Sequence, residues 1–129
     1  MGLFGSKSEN KSSNAKVTWT ALENLGQLNE IKTISADQNV LIFKHSTRCS
    51  ISRMALKQFE NEYENKLSTV NYFLDLLNYR DISTEIATTF NVQHQSPQLL
   101  LIKNDVCIYN VSHSDIDAES IDKMKLQDL

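Results

Sequence analysis

The chain has 129 residues, 40% of them hydrophobic and 22% charged, with a net charge of -3 and a pI near 5.5. That length suits one domain with a single core, and it carries neither the basic face of a nucleic-acid binder nor the roughly 20-residue apolar run of a membrane span. The two cysteines, Cys49 and Cys107, are too few for a disulfide scaffold. No Cys/His cluster has zinc spacing and no signal peptide opens the chain, so the expectation is a cytoplasmic protein without a metal.

Residues 1–16 are rich in Gly, Ser, Asn and Lys and read as a flexible tail, leaving residues 17–129 as the domain. The opening Met-Gly-Leu-Phe-Gly-Ser also fits the loose myristoylation pattern, which chance often meets. Val17 to Trp19 predicts a short edge strand. Thr20-Ala21-Leu22-Glu23 has the form of a capping box. Leu22, Leu25, Leu28 and Ile31 make an apolar helical face, with Gly26 a break between two short helices. Val40 to Phe43 has the length and composition of a core strand. A polar segment, Lys44 to Arg48, leads to Cys49. Ile51, Met54, Ala55 and Phe59 then recur at helical spacing to about Asn65, with Lys57, Glu60 and Glu64 on the wet side.

Thr69 to Leu76 predicts a second core strand, and Asp81 to Phe90 a helix with Ile82, Ile86, Ala87 and Phe90 inward. Asn91 is placed as its left-handed cap. The single proline, Pro97, directly precedes the apolar run Leu99 to Ile102. A turn at Lys103-Asn104-Asp105 and a strand from Val106 to Val111 complete an antiparallel hairpin. The last helix runs from Ala118 to about Leu126, started by Asp115 or Asp117. The order β-α-β-α-β-α-β-β-α implies an α/β domain with a central mixed β-sheet flanked by helices. With a cysteine at the first large strand-to-helix turn, this describes a thioredoxin-like fold.

Cys49 is the candidate nucleophile. Where a strand hands over to a helix, the first-turn N–H groups are unpaired and the helix dipole is positive, so a thiolate is favoured over a thiol. Lys44, His45, Arg48 and Arg53 all fall within a few residues of the sulfur. Ser52 stands where a dithiol enzyme carries its second cysteine, so no disulfide can close within Cys49-Ser50-Ile51-Ser52. A monothiol can still attack a mixed disulfide, and it then needs an external thiol to release the group it has taken. Ser96-Pro97 before a core strand is compatible with a cis bond. In thioredoxin-like folds such a proline faces the cysteine, and the residue before it offers backbone groups to the substrate.

The stretches FKHSTRCSIS, Tyr79 to Ala87 (YRDIS-EIA), and VQHQSPQLLLI followed by VSH resemble the monothiol bacilliredoxin family (YtxJ-like). The resemblance runs from Val17 to about Leu126. It implies a thioredoxin-like fold and an activity toward bacillithiol, a small thiol that many Firmicutes use in place of glutathione. On that reading Cys49 removes bacillithiol from S-bacillithiolated proteins and Pro97 takes the cis-proline position. Bacillithiol is then a co-substrate with no bound cofactor, in a monomer free of nucleic acid and membrane. His45, Arg48, Ser50, Ser52, Ser96 and Pro97 are the candidate substrate-binding residues. The family motif usually has proline directly after the cysteine; Ser50 here returns an N–H and adds a hydroxyl. Arg80, His94 and His113 match positions in the resembling stretches. Cys107, amid an alternating strand, reads as a small buried hydrophobe. The alternatives are a glutaredoxin-like binder of a thiol or an iron–sulfur cluster, and a non-catalytic adaptor.

Overall fold

A strand paired on both sides and covered on both faces has to be apolar almost throughout. Val40–His45 is buried at all six positions. In the computed structural model, which describes residues 17–124, this strand is the second of five: β1 (Thr20–Ala21), β2 (Val40–His45), β3 (Val70–Asp75), β4 (Gln98–Lys103) and β5 (Val106–Ser112). The helices are α1 (Gly26–Ser35), α2 (Ser50–Glu62), α3 (Arg80–Thr89) and α4 (Ala118–Asp122), with a 3-10 turn at His113–Asp115. One sheet in the order β1-β3-β2-β4-β5 holds them all. β3 runs parallel to both β1 and β2, whereas β4 is antiparallel to β2 and to β5. The mixed α/β sheet expected from the element order is present.

Alternation along β2 sorts its side chains onto two cores. Val40 and Ile42 join Leu28, Ile31, Ile82 and Ile86, beneath α1 and α3. Leu41 and Phe43 join Phe59, Tyr63 and Ile121, beneath α2 and α4. Tyr63 is fully buried and exchanges a 2.6 Å hydrogen bond with Thr69 Oγ1. Burial pushes its phenol up to about 12.

Turn chemistry closes the elements as the residues dictate. Asn104 and Asp105 both have positive φ, 51° and 65°, the combination that a two-residue hairpin of type I′ requires and that Asn and Asp tolerate. Their N–H groups donate to the carbonyl and the hydroxyl oxygen of Ser35, each at 2.8 Å, which pins the hairpin tip to the end of α1. Asn91 has φ 53° and ends α3, with the Val92 N–H donating to the Ala87 carbonyl. Both features match the expectation.

Several local expectations are corrected. The edge strand lies at Thr20–Ala21 and not at Val17–Trp19, because Val17 and Trp19 turn into the α2 core. Thr20 therefore cannot cap a helix. The start of α1 is held instead by Asn24 Oδ1, which accepts from the Gln27 N–H, and by Gln27 Oε1, which accepts from the N–H groups of Glu23 and Asn24. Gly26 begins this single helix and does not divide two. β2 continues through Lys44 and His45, two residues into the segment read as polar loop. Helix α2 buries Ser52 and Phe59 but leaves Ile51 and Met54, read as inward, 57% and 71% exposed. The last helix ends at Asp122, with Lys123 as its C-cap, and not near Leu126. The tail of residues 1–16 and its acylation pattern fall outside the described residues.

Phe59 stacks on Tyr63 with centroids 4.6 Å apart and lies 5.9 Å from Phe43 and 6.2 Å from Trp19. Phe59→Ala is expected to destabilise the domain by about 3–5 kcal/mol. The only tryptophan, Trp19, reports that loss as a shift of the urea midpoint in its fluorescence.

Candidate active site around Cys49

Register sets the site. Lys44 of β2 pairs with Gln98 of β4, and Gln98 pairs with Ser112 of β5, while His45 pairs with Asp75 of β3. The segments that follow β2, β3 and β5 and the one that precedes β4 therefore meet at one end of the sheet. Cys49 sits there as the N-cap of α2, in extended conformation, half-buried and free. Its N–H donates to the Ser46 carbonyl and its own carbonyl accepts from the Arg53 N–H. The Arg53 guanidinium donates to the Thr47 carbonyl at 2.9 Å, which ties the loop to the helix it feeds.

Pro97 lies buried at the start of β4, joined to Ser96 by a cis peptide bond, and its carbonyl accepts from the His113 N–H at 3.0 Å. His113 itself has φ 55°. Ser96 Oγ is buried with no hydrogen-bond partner. Arg48 and Ser50 are exposed beside the sulfur. A cavity of about 190 Å³ opens along the outer side of α2, lined by Ile51, Met54, Ala55, Gln58, His113, Ser114 and Ile116.

His45 and Ser52 lie deeper. Both are buried, with His45 Nδ1 and Ser52 Oγ 2.8 Å apart and the Ser46 N–H donating to the same Oγ at 3.1 Å. Ser52 thus sits behind Cys49 within the fold, while Arg48 and Ser50 face outward. Burial holds His45 below the ordinary histidine value, the Asp75 carboxylate partly restores it, and the Arg53 charge opposes it. Asp75 is the site residue that sequence reasoning missed. Only the parallel register of β2 on β3 reveals it.

Lys44, counted among the cations near the sulfur, points to the other face of the sheet. Its ammonium is fully buried and donates to His94 Nδ1 at 2.9 Å, an acceptor shared with the Ser83 hydroxyl. No carboxylate stands in that contact, and burial pulls Lys44 down to about 8. His94 is lowered too, by burial and then by the Lys44 charge. Arg80 opens α3 and is exposed. Cys107 lies at the opposite end of the sheet: it pairs with Ile102, which pairs with Val40 at the start of β2. Five residue steps along β2, about 17 Å, separate that end from the site. Burial raises the Cys107 thiol.

A family model described as monothiol bacilliredoxin BrxC matches residues 20–121. The chain belongs to the monothiol bacilliredoxin family. Among solved structures, a thioredoxin-fold protein assigned as an oxidoreductase is 32% identical, with 80% of this chain covering 89% of that one at a TM-score of 0.68. Mitochondrial thioredoxin 3 of Saccharomyces cerevisiae is 19% identical (85% of this chain, 94% of that one, TM-score 0.61). A thioredoxin of Malassezia sympodialis is likewise 19% identical (81% and 84%, TM-score 0.59). These last two establish the thioredoxin fold alone. Bacilliredoxin membership and the fold together make this a thiol redox protein. No helix among the described residues is long and apolar enough to cross a membrane.

The buried lysine gives a pH test. The unfolded chain keeps that proton up to the ordinary value of 10.5, whereas the fold releases it near 8. Between those values the unfolded state binds more protons, so this group makes stability rise with pH. Lys44→Met is expected to be more stable than the parent by about 1–3 kcal/mol at pH 7. The gap should shrink as pH rises through 8 toward 10.5. Urea melts at pH 7 and pH 10 measure both gaps, and equal gaps would mean that no buried cation is being relieved.

Proposed function

We propose that this bacilliredoxin removes bacillithiol from protein mixed disulfides by a monothiol mechanism on Cys49. The observation that carries the reading is a single free thiol at the N-cap of α2, with Ser52 one turn on and Cys107 at the far end of the sheet. Ser52 has no thiol, and Cys107 lies far beyond the roughly 7 Å between Cα atoms that a disulfide spans, so neither position can resolve Cys49.

Two exchanges complete the cycle. The Cys49 thiolate attacks the bacillithiol sulfur of a protein–bacillithiol disulfide; the S–S bond breaks, the protein leaves as its thiolate, and Cys49 carries the bacillithiol. A second bacillithiol thiolate then attacks that adduct, giving bacillithiol disulfide and free Cys49. Each step exchanges one S–S bond for another, with no net electron requirement beyond the two thiols. The attack needs the thiolate, and Cys49 stands at the N-cap of α2, where first-turn N–H groups are unpaired, with Arg48 and Arg53 close in sequence. Arg48 and His113 stand where the carboxylates of the small thiol can be met. Ser96, before Pro97, offers backbone groups to an extended client strand, and the exposed Ile51 and Met54 give its side chains an apolar surface.

The test is a reporter protein carrying a bacillithiol mixed disulfide, incubated with the reduced enzyme and followed by intact mass. The bacillithiol mass is expected to move to Cys49 while the reporter regains its thiol. Cys49→Ala should abolish the transfer and Cys107→Ser should keep most of it. Equal loss in the two variants would overturn the monothiol account. A glutathione-loaded reporter reads out the choice of small thiol. An adaptor would give no adduct and an alkylation midpoint near the free-thiol value of about 8.5.

A further inference from the structure

Ser52 Oγ is committed on one side and undecided on the other. The Ser46 N–H can only donate to it, at 3.1 Å. His45 Nδ1, at 2.8 Å, can give or take the proton between them. Three exposed helical hydroxyls fold back onto the carbonyl four residues earlier, Thr33 onto Asn29, Thr84 onto Arg80 and Thr88 onto Thr84. The buried Ser52 reaches His45 and Ser46, much as the buried Ser83 of α3 reaches His94 on the other face of the sheet. Three residues before Ser52 is Cys49, and that spacing on a helix brings Cβ atoms to about 5–6 Å.

We propose that Cys49, Ser52 and His45 form a proton relay that couples formation of the thiolate to protonation of His45. The Cys49 proton passes to Ser52 Oγ as the Ser52 hydroxyl proton passes to His45 Nδ1. In the thiol state the Ser52 hydroxyl donates to a neutral imidazole and the Cys49 side chain makes no capping hydrogen bond; the S–H turns onto Ser52 Oγ as its proton is passed on. In the thiolate state, the imidazolium Nδ1–H donates to Ser52 Oγ, whose hydroxyl turns to the sulfur. The Ser46 N–H donates in both. One proton has moved along the chain, and Ser52 has a complete set of partners at either end of the step, so no buried polar group is stranded.

The surroundings of His45 fit such a role. Burial keeps the imidazole neutral while the thiol holds its proton, and so leaves Nδ1 open as an acceptor. Asp75, its register partner on β3, supplies the countercharge when the proton arrives. Asp75 Oδ2 accepts from the Asn78 side chain, whereas Asp75 Oδ1 is buried with no partner. Arg53 of α2 opposes the cation, and the rings of Phe43 and Phe73 flank it at 6.4 and 5.4 Å. Ser52 and His45 act on substrate only through Cys49, which makes them positioning residues.

This inference rests on Cys49 as the attacking thiol but not on the identity of the small thiol, so its test uses no bacillithiol. In a Cys107→Ser background, the nitrogen-15 shifts of the His45 ring are titrated with Cys49 reduced and with Cys49 capped as a methyl disulfide. Capping removes the sulfur's proton from the relay, and the His45 midpoint is expected to move by half a pH unit or more. With Ser52→Ala the two curves should coincide. The midpoint of Cys49 alkylation by iodoacetamide should rise by about one unit, a tenfold slower reaction below it. His45→Asn, which cannot titrate, should likewise flatten the histidine-dependent part of that profile. The relay is overturned if the wild-type His45 titration ignores the state of Cys49, and equally if Ser52→Ala leaves the coupling intact.

Discussion

Two-sided pairing of β2 is the constraint on which the rest of the molecule depends. A central strand must satisfy its backbone on both flanks and its side chains on both faces, so its register fixes four elements at once. That register brings Asp75 beside His45, places Gln98 and hence Pro97 opposite Lys44, and aims the chain after His45 at the start of α2. The site is a consequence of where one strand ends. Its polar residues occupy the last two positions of a strand that is otherwise wholly apolar, and the period of two sends them to opposite sides. His45 therefore faces Ser52 of α2, while Lys44 is buried under α3 with a histidine for company.

Much of this was legible in the residues. Strands reading VLIF and LLLI, the helical spacing after Cys49, the Asn-Asp hairpin turn and the Asn91 cap each carry a local physical reason, and each formed within a residue or two of its expected place. The thiol at a strand-to-helix handover and the proline before β4 were equally local signals. What the sequence hid was mostly non-local. Asp75 lies 30 positions from His45 and becomes its neighbour only through parallel pairing. Lys44 read as a loop cation because a buried lysine without a carboxylate is rare, and burial here is imposed by the strand against the side chain's own preference.

The failures around α1 and α2 have a different origin. A capping-box pattern at Thr20 competed with an edge strand that had to reach β3, and the tertiary pairing won. Helical spacing put Ile51 and Met54 on an apolar stripe, yet α2 turns its Ser52 and Phe59 side inward, so these residues stay wet. Periodicity alone cannot tell a stripe that packs inside from one left over at a helix end. Two large exposed apolar side chains next to Cys49 are what a docking end of the helix would need.

The separation of the two cysteines has a kinetic consequence. A dithiol protein can close on itself, and the rate of that step does not depend on what surrounds it. In the proposed cycle Cys49 has no such first-order exit, and a group that it takes up would stay until another molecule collides with it. Its lifetime in the loaded form is thus set from outside, in inverse proportion to the concentration of free thiol around it. On the proposed cycle the fraction of loaded protein would follow the thiol pool, because the strand register puts Cys107 at the wrong end of the sheet.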